Sequence, residues 1–452
     1  MYYTLRYEIR LSLLFVLVPL VSYSQSDTPV RDSFTREACV HYAMEHSPLL
    51  QQSILDQEIA RKEVASSLSG WLPQVAVNAD LLDNIDKPNT VFPNAEGESV
   101  VREIGVNYQS SAAVTASQTL FSNDVLAAAR AAPLVRQQAE QNTYASRIDL
   151  YVAVSKAFFD LLTTQDQVNI LSEDLDRLKK NVKDARNRYE NGIADPVDYK
   201  QATIQLNNTR AQLVSAQESL TYYRAVLKQR MGYPTDQELE ITYDSEQLQQ
   251  EATMDSLRAP SYRNRIEYSQ LETQAGLLSA DINRYRWGFL PQLSAFFNYE
   301  FAYFNEAFPA LYDRSFTASQ VGLQATIPLF QGASRIYNLQ TAKLRSERLN
   351  YARTNLESQI ETEYAQAVST YRGAYANWKL QQENEQLADE VYRTIQLQYD
   401  EGIIPYIEVI QAETDLRSAQ LNTSNALLRV LSSKVDVQQA TGTAPIGEMK
   451  TN

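Results

Sequence analysis

The residues of this chain able to do chemistry are mostly carboxylates, and those with a pattern surround two similar loops. Residues 188–202 read RYENGIADPVDYKQA and residues 398–412 read QYDEGIIPYIEVIQA, 210 positions apart. Glu190, Asp195 and Asp198 flank Gly192, and Asp400, Glu401 and Glu408 flank Gly402. Acid gathered in this way attracts a cation or a basic protein surface. Asp198 and Glu408 equally suit the first turn of a helix, where the dipole favours negative charge, and a solvated acidic turn is a third reading. Charge alone leaves the three open.

The rest of the reactive inventory is small. His41 and His46 lie in one helical segment without metal-ligand spacing and read as structural. Cys39, the sole cysteine, allows no intrachain disulfide and reads as a small buried helical residue. No phosphate-binding glycine loop, G-x-S-x-G elbow or H-E-x-x-H pair occurs, so no enzymatic activity, cofactor or metal is expected. A formal charge of −14 excludes a nucleic-acid surface.

The elements that must position the two loops recur with them. Tyr189, Gly192, Ile193, Gln201, Ala202, Leu206, Ala216 and Gly232 return as Tyr399, Gly402, Ile403, Gln411, Ala412, Leu416, Ala426 and Gly442. Leu72-Pro73-Gln74 returns as Leu290-Pro291-Gln292, and Leu120-Phe121 as Leu329-Phe330. A repeat of this period makes each half one structural unit. The expected organisation is a signal peptide at 1–24, a first repeat at 25–232, a connection at 233–258, a second repeat at 259–442 and a tail at 443–452.

The signal peptide rests on MYYTLRYEIR, the largely apolar run from Leu11 to Val21, and Val21-Ser22-Tyr23-Ser24-Gln25, with cleavage after Ser24. The run is shorter than the roughly 20 residues a membrane-spanning helix needs. Mean hydropathy is negative, so any crossing of a membrane has to be made by alternating strands.

Segment 35–69 reads as helical. Segment 123–190 is almost free of Gly and Pro, and Val168, Leu171, Leu175, Leu178, Val182, Ala185 and Tyr189 form a heptad seam for a second long helix. After the break, Leu206, Leu213, Leu220 and Leu227 supply that partner. The second copy repeats the hairpin over about 333–400 and 405–440. A helix of about 68 residues reaches roughly 100 Å, the scale of a cellular compartment. A periplasmic or surface coiled-coil structural protein shares these heptads, and the strands separate the two readings. Alternation at 293–303, 320–327, 74–81 and 111–117 places two strands in each copy, with loops near 85–108 and 305–315. Four strands cannot close around a channel, and open edges in lipid leave backbone groups unpaired, so several chains must share one barrel.

The signal peptide, the duplicated order of helix, two strands, long helix, turn and helix, the Leu-Pro-Gln and Leu-Phe landmarks and the repeated Tyr-x-x-Gly turn together resemble the TolC-like outer-membrane efflux family. The resemblance covers essentially the whole mature chain. It implies an α+β membrane protein in which a homotrimer in outer-membrane lipid forms a 12-stranded β-barrel, four strands per chain, continued by a long α-helical barrel across the periplasm. It implies a passive exit duct of a tripartite efflux or type I secretion system, docked through a periplasmic adaptor protein on an inner-membrane transporter. Gly192 and Gly402 fall at the periplasmic tip. Glu408 falls where a carboxylate lines the narrowest point of the closed pore, with Asp198 as its first-copy equivalent and Tyr399 where a tyrosine helps close the tip. Two family features are missing: Gln411 stands where a second carboxylate can occur, and Ile404 where an arginine helps hold the tip closed. Closure is therefore expected to lean on apolar packing of Ile403, Ile404, Pro405 and Tyr406, with a ring of Glu408 side chains as a cation filter.

Overall fold

A computed structural model describes residues 33–93, 99–192, 195–254 and 261–446. The signal peptide, Ile193 and most of the C-terminal tail lie outside the described residues. The chain runs β1 (Ser33–Phe34), α1 (Arg36–His46), α2 (Pro48–Leu68), β2 (Gln74–Asp83), β3 (Asn89–Pro93), β4 (Ser99–Glu103), β5 (Tyr108–Phe121), α3 (Asn123–Glu190) and α4 (Pro196–Met231). It continues with β6 (Glu240–Ile241), α5 (Ser245–Glu251), α6 (Ile266–Arg286), β7 (Gln292–Asn305), β8 (Ser315–Thr326), α7 (Ser334–Asp400) and α8 (Tyr406–Thr441).

The long helices match their expected spans closely, at 68 and 67 residues for α3 and α7 and 36 each for α4 and α8. The heptad seam explains the pairing of α3 with α4. Leu171, Leu178 and Ala185 are buried along it, and Leu213 and Leu227 of α4 are buried opposite. Around the middle of the molecule a larger core gathers Phe158, Phe159, Leu161, Leu162, Trp378, Leu428 and Leu431 from α3, α7 and α8.

The single helix expected over 35–69 is two. Pro48 has no N–H to donate and forces Ser47 into an extended conformation with ψ of 122°, so α1 stops and α2 restarts on the proline. The segment near 85–108, expected as a loop, carries the antiparallel hairpin β3–β4. A short parallel pair, Ser33 with Glu240 and Phe34 with Ile241, ties the start of the described chain to the segment after α4. Such two-residue pairings leave no periodic trace in a sequence.

The main sheet has the order β2-β5-β7-β8, antiparallel throughout. Pro73 and Pro291 stand just before β2 and β7, where no ladder hydrogen bond is required of them. Register fixes two faces. One carries Val75, Val77, Ala79 and Leu81 of β2, Ala112, Val114 and Ala116 of β5, Phe297, Tyr299, Phe301 and Tyr303 of β7, and Val321 and Leu323 of β8. The other carries Asn78, Asp80, Ser111, Thr115, Asn298, Glu300, Gln320 and Gln324. β8 starts at Ser315 and ends at Thr326, so it begins earlier than the expected 320 and leaves Ile327 out. The Leu-Phe landmark also differs between copies. Leu120-Phe121 ends β5 at a bulge, whereas Leu329-Phe330 lies beyond β8 and is exposed. Neither β2 nor β8 has a further strand partner among the described residues.

Candidate functional site

Two turns join the long helices at the end of the molecule opposite the sheet. In the first, α3 stops at Glu190 and Gly192 takes φ of 74°, a left-handed conformation that side-chain-bearing residues adopt at a cost. Asp195 is the N-cap of α4, and its side chain accepts from the Val197 N–H at 2.8 Å, with Pro196 opening the helix. Asp198 sits half-buried in the first helical turn, its carboxyl raised by that burial and then by Asp195. Tyr189 stays exposed, its ring 5.2 Å from that of Tyr199.

The second turn shares this backbone and differs in its side chains. Gly402 takes φ of 75°, and its N–H donates to the Tyr399 carbonyl at 2.9 Å. The residue before α8 is Pro405, whose side chain has no oxygen to cap the helix. Apolar burial takes over. Tyr406 is 1% exposed and packs with Ala202, Tyr399 and Val409, flanked by Val182, Tyr392, Ile395, Ile404 and Ile410. Ile404 therefore joins this packing, whereas Ile403 is 71% exposed and does not. Glu408 projects exposed from the first turn of α8, and Gln411, also exposed, donates to Asp415 at 2.9 Å.

Tyr399 is held from the other hairpin. The Arg188 guanidinium lies 4.6 Å from the centre of its ring, donates to its carbonyl at 3.5 Å and approaches the Asp400 carboxylate at 3.8 Å. The Tyr399 hydroxyl has no hydrogen-bond partner among the described residues, and burial raises its pKa, with Arg188 pulling the other way. Ile404 brings no charge to this turn, but α3 brings Arg188 to it. The structure thus places Tyr399 and Ile404 together in one packed cluster with Ala202. It leaves Glu408 and Gln411 on the exposed face of α8, and Asp198 on α4.

Behind the second turn lies a group of buried charges that pattern reading missed. Asp174 on α3 and Glu413 on α8 are fully buried and Arg417 on α8 is nearly so. Asp174 accepts from Arg177 at 3.0 Å, Arg417 at 2.8 Å and Thr209 of α4 at 3.3 Å. Glu413 receives only a 3.3 Å hydrogen bond from Asn181, and its other oxygen stands 3.6 Å from Arg177 Nε without a hydrogen bond. Burial first, and Asp174 next, push its carboxyl up to about 7 against the pull of Arg177 and Arg417. A signal existed in the sequence. Tyr406, Val409, Glu413 and Leu416 are spaced 3, 4, 3, which puts an acid on the helix's apolar seam.

A two-faced sheet at one end and helical hairpins whose longer arms reach about 100 Å, ending in tight turns at the other, define the class of channel-forming outer-membrane proteins with a long helical extension. Comparison with known proteins agrees. The family model for outer membrane efflux protein matches residues 39–233 and 263–443, and the chain belongs to that family. It is 23% identical over 415 residues to the outer membrane protein TolC of Vibrio cholerae, covering 89% of each chain. Among solved structures it resembles CusC with a TM-score of 0.71 at 17% identity, over 90% of this chain and 91% of that one. It resembles VceC of Vibrio cholerae with a TM-score of 0.69 at 18% identity, over 90% of this chain and 96% of that one. The protein is an outer-membrane efflux channel component, with its helical part extending into the periplasm, and the periplasmic or surface coiled-coil structural alternative is not favoured.

Proposed function

We propose that three copies assemble side by side so that their four-stranded sheets close one 12-stranded barrel, with the helical hairpins continuing it as a tunnel. The observation that carries this reading is the sheet β2-β5-β7-β8, which has one mostly apolar face and one carrying most of the polar side chains together with Leu82, Phe296, Phe304 and Phe316, and whose outer strands of 10 and 12 residues lack a further partner among the described residues. Strands of this length fit a bilayer when tilted, and unpaired edges in hydrocarbon each cost several kcal/mol per group, on the order of the desolvation penalty. The face bearing Val77, Val114, Phe301 and Val321 then meets lipid, and the face bearing Asp80, Asn298, Glu300 and Gln324 lines the water-filled lumen. Each half supplies one unit of the repeat, 25–232 and 259–442, joined by 233–258.

Both tips lie at the inner end of this duct, where a periplasmic adaptor protein and an inner-membrane transporter dock to make a tripartite efflux or type I secretion assembly. Glu408, exposed in the first turn of α8, and Asp198, its counterpart on α4, face the aperture and favour cations there. Tyr399, with Ile404 and Arg188, holds the second tip shut, while Gln411 leaves the next turn of the pore lining uncharged. Gly192 and Gly402 make the two turns possible. Native mass measurement in detergent tests the assembly: a heat-sensitive trimer supports it, and a monomer over the whole working concentration range overturns it.

A further inference from the structure

The carboxylates Asp174 and Glu413 share one buried pocket of charge between the two helical hairpins, yet they are served very unequally. Asp174 takes Arg177, Arg417 and Thr209, and with its amide turned to satisfy both groups, Gln205 adds acceptance from Arg417 at 3.0 Å. Glu413 is left with one hydrogen bond from Asn181 and, at its other oxygen, a 3.6 Å ion-pair approach of Arg177 Nε that makes no hydrogen bond. A fully buried carboxylate with so little support is costly when ionised, and a carboxyl proton removes that cost. Its position gives the proton mechanical leverage. Glu413 is seven residues along α8 from Tyr406, about 10 Å by helical rise, on the same buried stripe, and its neighbours Asp174, Arg177 and Asn181 belong to α3 of the other hairpin.

We infer that Glu413 is a proton-binding site that latches α8 against α3 and so couples the closed tip to periplasmic pH. The inference goes beyond the aperture residues named above and rests on the tip being the closing end of the duct. The groups facing Glu413 are Asp174 and Arg177 of α3, Arg417 and Tyr406 of α8 and Tyr392 of α7, with Thr209 and Gln205 of α4 completing the pocket without charge. The sign follows from the direction of the shift. The packed state holds a proton up to about 7 that a hydrated carboxyl releases near 4.5. Packing is therefore strongest at acid pH, weakens as pH climbs through that window, and stays at its weakest above it. Ionised Glu413 is relieved by water entering between α8 and α3, which is the direction that separates the two hairpins behind Tyr406.

The experiment pairs single-channel recording of the purified full chain in planar bilayers with infrared titration of the same protein. Open probability is expected to rise between about pH 5 and about pH 8, and the carbonyl stretch of a buried protonated carboxyl to disappear over the same range. Glu413→Gln, a permanent analogue of the protonated form, removes both changes and keeps the low-pH behaviour throughout. Glu413→Asp restores a titration with a displaced midpoint. A Glu413→Gln protein with the parent pH profile, or a carboxyl band that does not respond to this substitution, overturns the latch. The infrared arm needs no current, so a chain that forms no channel at all counts against the duct reading while the band still decides the proton site.

Discussion

The two helix tips share a Tyr-x-x-Gly turn and nearly the same backbone, with φ of 74° and 75° at the glycines, but they are stabilised by different physics. The first is a polar tip: Asp195 caps α4, Pro196 opens it, and Tyr189 is left in solvent. The second is an apolar tip: no side chain caps α8, and Tyr406 and Tyr399 are buried against each other with ring centres 5.2 Å apart. Hydrogen-bonded caps hold one helix locally. Buried aromatic packing holds two hairpins together, because Ala202 of α4 and Val182 of α3 belong to the same cluster. The second tip is thus the one whose integrity depends on the relation between the halves.

The largest test of this contrast is Tyr406→Ala. It removes a fully buried ring and is expected to cost about 3–5 kcal/mol, read as faster amide exchange in the first turns of α8 and as larger or longer channel openings. Pro196→Ala at the equivalent first-copy position should cost under about 1 kcal/mol and leave conductance alone. Equal effects at the two positions would end the distinction. Next in size, Asp195→Ala removes the cap of α4 at about 1 kcal/mol, loosening exchange at the start of α4 without changing that of α8. Comparable to it, Arg188→Ala removes a cation–π contact and a partly buried ion pair worth roughly 1 kcal/mol together. It should raise open probability even though Arg188 belongs to the first hairpin, whereas Tyr189→Ala next to it should stay within about 0.5 kcal/mol. The smallest stability effect belongs to Glu408→Ala, within about 0.5 kcal/mol, yet it should lower cation preference in single-channel reversal potentials. Unchanged selectivity would return Glu408 to the role of a first-turn helix acid.

Much of the fold was legible because its signals are local and long. The heptad seam through Leu171, Leu178 and Ala185 gave α3 and its antiparallel partner, and the mostly apolar–polar alternation from Leu293 to Tyr303 gave β7. What failed was short or non-periodic. Pro48 divided the first helix, β3–β4 filled an expected loop, and β1–β6 pairs residues about 200 positions apart, a contact no window of sequence contains. At the tips, the sequence placed the two glycines in the turns and Asp198 and Glu408 in the first helical turns after them. It did not find Arg188 as the cation that reaches Tyr399, because that arginine comes from the other hairpin.

By itself, then, the sequence determined the order of the long helices and the main-sheet strands, the position of the two turns and the non-equivalence of their side chains. These follow from backbone propensity and from periodicity, which act within a few turns of chain. Only the tertiary structure decided which charges are buried. Asp174 and Arg417 look like many other charged residues on long helices, and Glu413 differs only in falling on the apolar seam of α8. Their burial depends on the rotation of α3, α4 and α8 about their own axes when the three pack together. A difference of one residue in facing separates a solvated carboxylate from one that must find a partner or keep its proton, and that rotation is set by contacts between helices more than 200 residues apart in the chain.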